Sequence, residues 1–141
     1  MSSSDESGPL HPTLIDLPEI SEPRGDLTFI EGGRHIPFEI ARIYYLHDVP
    51  FGSERGGHAH RLLQQAVIAL SGRFLLRLHD GISQYEFEMM NPSKAVLVPR
   101  MTWRELVDFS SGAVCLVLAS RPYEEKNYIR NFNTFIAEVR G

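Results

Sequence analysis

Short runs of alternating apolar and polar residues recur along the chain, broken by glycine, proline and acidic clusters. Residues 13–17, 27–31 and 39–47 are rich in strand-forming side chains, and Pro, Gly or acidic residues punctuate them. Residues 50–57 read as a loop. Residues 64–71 and 73–79 read as two strands broken at Ser71-Gly72, and Asp80-Gly81 is a hairpin signal leading into residues 83–89. Residues 94–98, 102–109 and 113–120 continue the series. So many short strands with turns between them predict an all-β sandwich or barrel. The period changes only near the end. Tyr128, Phe132, Phe135 and Ile136 recur at roughly helical spacing, which predicts short helical turns within residues 124–139. Residues 1–8 are Ser- and acid-rich with almost nothing to bury, so a disordered tail is expected over residues 1–12 and a single domain over 13–141.

Parity within the strands sorts the side chains by face. Phe74, Leu76 and Leu78 share one face of residues 73–79, and Arg73, Leu75, Arg77 and His79 share the other. The simple arrangement puts the apolar set inward. A barrel enclosing a polar ligand would turn the charged set inward instead. In residues 39–47, Ile40, Arg42, Tyr44 and Leu46 share one face, and Ala41, Ile43, Tyr45 and His47 share the other. Both faces are partly apolar, as expected of a strand covered on one side by a second copy of the chain. A homodimer is predicted.

Composition narrows the function. The 141 residues fit one domain, long enough to bury a core without staples. The longest apolar runs, such as residues 66–70, are too short for a membrane span, which needs ~20 residues. No signal-peptide pattern stands at the start. The single cysteine, Cys115, excludes a disulfide framework and a Cys-based zinc site. A net charge of −4 argues against a nucleic-acid binder that relies on a broad basic surface. A cytoplasmic location is expected.

The densest chemical signal is Arg55-Gly56-Gly57-His58-Ala59-His60. Two histidines one residue apart on a strand point the same way. Paired imidazoles can bind a metal or carry protons, or they can be structural. The preceding glycines allow a close backbone approach.

This spacing resembles the cupin family. Gly52, His58, His60, Gln65 and Gly72 stand at the positions of its first motif, with Gln65 in place of the acidic ligand. At the second motif, Ser93, Pro99, Met101, Arg104 and Asp108 occupy the corresponding positions. Only the proline survives, and Arg104 replaces the ligand histidine. A guanidinium repels Zn²⁺ or Fe²⁺, and a transition metal wants three or four donors. No metal and no other cofactor is expected, which makes a cupin dioxygenase an unfavourable reading.

The resemblance narrows further. His35–Tyr45 (H-I-P-F-E-I-A-R-I-Y-Y), then R-G-G-H-A-H, Leu70-Ser71-Gly72, Asp80-Gly81, Pro99 with Trp103, residues 117–120, and Tyr128-Ile129-Arg130 with Phe132 and Phe135 occur in the order of the WxcM-like cupins. The match runs from about residue 13 nearly to the C-terminus. It implies an RmlC-like jelly-roll barrel and a 3,4-ketoisomerase acting on a dTDP-linked 4-keto-6-deoxy sugar, dTDP-4-keto-6-deoxyglucose. That reaction needs a base of near-neutral pKa, a second proton carrier and donors for an enediolate. His58 is the candidate base and His60 its partner, with the order of the two left open. Tyr44 and Arg42 are candidates for the oxyanion, against plain roles as a barrel-wall aromatic and an ion-pair member. Arg104 is a candidate to polarise the ketone or hold phosphate. Arg55, Arg73 and Arg77 are candidates for the diphosphate, and Trp103 for a base platform or a core residue. A keto-sugar epimerase and a non-catalytic sugar-binding cupin are the alternatives.

Overall fold

The computed structural model describes residues 8–141. Its strands are β1 (Thr13–Asp16), β2 (Glu19–Glu22), β3 (Gly25–Thr28), β4 (Arg42–Leu46), β5 (Arg55–His60), β6 (Gln65–Ser71), β7 (Phe74–His79), β8 (Gln84–Met89), β9 (Lys94–Val98), β10 (Trp103–Val107), β11 (Val114–Ala119) and β12 (Tyr128–Ile129). A 3₁₀ turn (Glu125–Asn127) precedes β12, and helix α1 (Phe132–Arg140) ends the chain. Two five-stranded antiparallel sheets, β1-β9-β6-β11-β4 and β12-β5-β10-β7-β8, pack face to face. No ladder joins their edges, so the expected jelly-roll barrel is an open sandwich of cupin type.

Three layers of apolar packing follow from strand parity. Between the sheets lie Val67, Val96, Val98 and Val117 from the first sheet and Phe74, Leu76, Leu78 and Leu106 from the second. The outer face of the first sheet, with Ala66, Ile68, Leu97 and Leu118, is covered by Leu17, Ile36 and Phe38. On the outer face of the second sheet, Ala59, Trp103 and Ile129 receive Phe135 of α1. That contact explains why the expected short turns became a nine-residue helix. Asn131 caps it, its side chain accepting from the Thr134 N–H at 2.9 Å.

Several expectations change. Residues 55–57, read as loop, open β5, because the glycines there form a bulge rather than a break. The strand read over 39–47 is ordered as β4 only over Arg42–Leu46, and it is an edge strand whose Ile43 and Tyr45 are about 60% exposed in the single chain. The β2–β3 hairpin stands apart from both sheets, with Ile20 and Leu27 directly paired and half exposed. Of the tail expected over residues 1–12, residues 1–7 lie outside the described residues. Pro12 is buried, and Gly8 lies against Gln64 and Pro37.

Candidate active site

One end of the space between the sheets is polar. Arg42 and Tyr44 alternate with Leu46 along β4, and Gln65 opens β6, so all three face inward beside the apolar core. Arg104 precedes Leu106 by two on β10 and shares its inward face. His58 and His60 complete the group from β5, while Ala59 between them points to the helix side.

A bulge aims the histidines. Arg104 pairs with His58, but the next residue, Glu105, pairs with Gly56, so Gly57 is the extra residue. Gly57 has φ +57° and Gly56 φ +96°, both left-handed. A Cβ on Gly56 would lie 3.1 Å from the Arg104 carbonyl oxygen, so only glycine allows β5 to approach β10 this closely. The Gly56 carbonyl then accepts from His58 Nδ1–H at 2.9 Å. A carbonyl only accepts, so the proton is on Nδ1 and Nε2 carries the lone pair. That Nε2 is buried and meets no protein partner among the described residues. Burial and the nearby Arg104 push the His58 imidazole down to about 4, so at pH 7 it is neutral, with an unprotonated Nε2 able to accept a proton but weaker as a base than a solvent-exposed imidazole. His60 is fully buried with both ring nitrogens unpartnered, and burial, then Arg104, push it still further down.

Arg104 is the decisive cation. It is 3% exposed, and among the described residues its one hydrogen bond is from Nη2 to the Thr102 carbonyl at 3.3 Å. Among the described residues Nε and Nη1 have no partner, and no carboxylate acts on it. Burial lowers its pKa to about 10, with Tyr44 and Tyr128 offsetting part of that, so it stays charged. A buried guanidinium with free N–H groups is a built receptor for negative charge. Arg42 adds two more unpartnered buried nitrogens and stacks at 5.3 Å over Tyr44. Gln65 donates to the Tyr44 hydroxyl at 3.0 Å, leaving that hydroxyl's proton free for an oxygen in the cavity. Burial raises the Tyr44 pKa, keeping it a phenol.

The structure thus brings together His58, His60, Tyr44, Arg42 and Arg104. It does not bring the other candidates there. Arg73 pairs with Glu88, and Arg77 with Glu86, on the exposed outer face of the second sheet. Trp103 faces the same way, packs on Phe132 and Phe135, and donates to Glu105 at 3.2 Å. Arg77 and Trp103 line a groove of about 680 Å³ with His79, and neither His58 nor His60 lines it. Arg55 is exposed at the start of β5. Gln65 and Tyr128 were missed as site residues. The cupin spacing marked Gln65 but as a lost ligand, whereas Tyr128 lies far along the chain and carried no signal of proximity. Cys115 is buried in the core with its thiol pushed up to about 12, so it is no nucleophile.

Two facing sheets with a polar, histidine-bearing end define a cupin-like protein, and the inward pair of imidazoles suits it to acid–base chemistry. Comparison with known proteins gives the family. Residues 10–140 match the model described as FdtA, WxcM-like, C-terminal, and the chain belongs to that family. It is 39% identical over 129 residues to the TDP-4-oxo-6-deoxy-alpha-D-glucose-3,4-oxoisomerase of Aneurinibacillus thermoaerophilus, covering 89% of this chain and 93% of that protein. A single-site variant of the QdtA 3,4-ketoisomerase of Thermoanaerobacterium thermosaccharolyticum, solved with TDP-4-keto-6-deoxyglucose, superposes with a TM-score of 0.90 at 38% identity, over 94% of this chain and 96% of that one. A 3,4-ketoisomerase from Helicobacter canadensis gives 0.89 at 35% identity, over 92% and 98%.

Proposed function

We propose that this protein is a sugar-nucleotide 3,4-ketoisomerase acting on dTDP-4-keto-6-deoxyglucose. The observation that carries the mechanism is the neutral His58, its buried Nε2 without a partner among the described residues, directly opposite Arg104, on which no carboxylate acts among those residues. His58 removes the proton from carbon three, which the neighbouring ketone acidifies. The C–H electron pair becomes the C3=C4 double bond, and the carbonyl pair moves to the carbon-four oxygen. Arg104, Arg42 and Tyr44 supply N–H and O–H donors to that oxyanion. The carbon-four oxygen takes up a proton to give the enediol, loss of the carbon-three hydroxyl proton then re-forms a carbonyl at carbon three, and the C3=C4 electron pair takes a proton at carbon four to complete the isomer. One C–H and one O–H bond break and one of each forms, so no external oxidant is required. His60 is the second proton carrier or the partner that orients the first.

A metal-free reaction is supported by Arg104 at the cupin ligand position, and no cluster of three or more His, Cys, Asp or Glu gathers among the described residues. A homodimer is supported by the exposed Ile43, Tyr45 and Leu70 on the first sheet and by Ile20 and Leu27 on the hairpin, since a lone hairpin is marginal in water. Among the described residues no helix is long and apolar enough to cross a membrane.

The test incubates EDTA-treated protein with dTDP-4-keto-6-deoxyglucose in D₂O and follows the sugar by NMR. The expected result is a 3-keto product with deuterium at carbon four. Exchange at carbon three without a new ketone would replace the ketoisomerase with an epimerase-like reaction. Binding without any exchange would leave a sugar-binding cupin. Activity only after metal is restored would overturn the metal-free mechanism.

A further inference from the structure

We propose that Tyr128 is the positioning residue of the histidine pair, its ring setting the orientation and dryness of the imidazoles that move the proton. The proposal rests on the ketoisomerase reading with His58 as base. Tyr128 pairs directly with His60 across the β12–β5 ladder, so the two side chains share a face. Its ring centroid lies 4.3 Å from that of His60 and 5.0 Å from that of His58, while the two imidazoles lie 4.7 Å apart at 85°. The three rings form a closed triangle. His60 has no hydrogen bond from either ring nitrogen among the described residues, so packing alone sets its rotamer.

The ring is itself held from several directions. The Arg130 guanidinium lies 4.4 Å from its centroid. Glu125 holds Arg130 through both carboxylate oxygens, at 2.7 and 2.9 Å, and also accepts from the Tyr123 hydroxyl. The backbone of the two-residue strand β12 is fixed by Arg61, which donates to the Tyr128 carbonyl at 3.1 Å and the Lys126 carbonyl at 2.7 Å. Asn127 accepts from the Leu62 N–H at 2.7 Å. A strand this short at a sheet edge would fray without such ties.

The groups facing His58 are Arg104 from β10, Arg42 from β4, His60 on its own strand, Tyr128 from β12, Arg130 from the segment just after β12, and Glu125 from the 3₁₀ turn. The arginines oppose protonation, and Glu125 favours it. Tyr128 is the uncharged member, so removing its ring changes hydration and orientation without altering the charge balance.

The experiment titrates the histidine Cε1–H signals by NMR in substrate-free protein and measures kcat and KM against pH, for the parent, Tyr128→Phe and Tyr128→Ala. Tyr128→Phe keeps the ring and should leave the His58 midpoint and kcat close to the parent. Tyr128→Ala admits water, so the midpoint should rise by about one unit toward 6.5. The acid limb of kcat/KM should rise with it. The same change should lower kcat roughly tenfold or more, with KM little altered. Tyr128→Leu, which retains bulk, replaces the alanine variant if that does not fold. An unmoved midpoint with unchanged kcat in the ring-less variant would overturn the proposal. So would a Tyr128→Phe protein as impaired as Tyr128→Ala, because the hydroxyl would then be the acting group. A midpoint that moves as expected in a protein that isomerises nothing would overturn the ketoisomerase reading and leave the positioning role standing.

Discussion

Replacing Arg104 with methionine should make the protein more stable and nearly inactive. The side chain is buried and, among the described residues, lacks a carboxylate partner and keeps two nitrogens without hydrogen bonds. Its pKa falls from 12.5 to about 10 on burial. At ~1.4 kcal/mol per unit, that shift is a penalty of about 3 kcal/mol on the folded cation. The group is protonated in both folded and unfolded states at every pH below about 10, so the penalty is fully present at neutrality. Methionine fills a similar volume without the charge, and such replacements are commonly neutral or stabilising by ~1–4 kcal/mol. The thioether must still sit beside Tyr44 and the cavity, so a net gain of about 1–3 kcal/mol is expected. For a chain of this length that raises Tm by on the order of 5 °C. Denaturant unfolding and calorimetry, at one fixed protein concentration, measure the gain. Loss of an oxyanion donor should cut kcat by about 10²–10³-fold. A variant less stable than the parent, or one that keeps kcat/KM within a few-fold, would refute the assignment of Arg104 as an uncompensated cation in the site.

His58→Asn should lower kcat by about 10²–10⁴-fold with an unchanged circular dichroism spectrum; a variant keeping most of its activity would remove His58 as the base. The acid limb of kcat/KM should fall near pH 4 rather than 6.5, because the neutral imidazole is the active form and burial holds its pKa at about 4. The same depressed value means the unfolded chain takes up a proton that the folded chain refuses. Urea stability should therefore be full above pH 6.5 and decline as pH falls toward 4, and a flat profile through that window would contradict a buried neutral His58. Gly57→Ala should cost about 1–2 kcal/mol for the left-handed backbone alone, since its Cβ meets open space. Gly56→Ala should cost more and impair catalysis, because its Cβ presses on the Arg104 carbonyl; thermal melts and kcat of the two variants make the comparison. Tyr45→Glu on the exposed face should give a monomer by light scattering at concentrations where the parent is a dimer.

The alternation of side chains made much of the fold readable. Phe74, Leu76 and Leu78 do point inward and Arg77 outward, because strand parity and the hydrophobic drive agree there. The His58–His60 pair was legible for the same reason, since one residue of separation fixes a common face. The β2–β3 hairpin was only half legible, because its paired Ile20 and Leu27 lack the long alternating run that marks a sheet strand. Residues 55–57 misled because glycines signal a loop locally, whereas here they make a bulge against β10.

Local sequence therefore determined most of the strand content, the apolar face of residues 74–79 and the presence of two imidazoles on one side. It could not rank the arginines. Arg42, Arg73, Arg77 and Arg104 carry the same charge on similar strands, and what separates them is the neighbour each meets. Glu88 and Glu86 neutralise Arg73 and Arg77 on an outer face, while Arg104 is enclosed between the sheets without a carboxylate partner among the described residues. Tyr128 likewise reaches His60 only because α1 and Arg61 draw a distant segment back to the edge of β5. Charge becomes function through burial and partnership, and those are properties of packing between strands remote in sequence, which no single strand encodes.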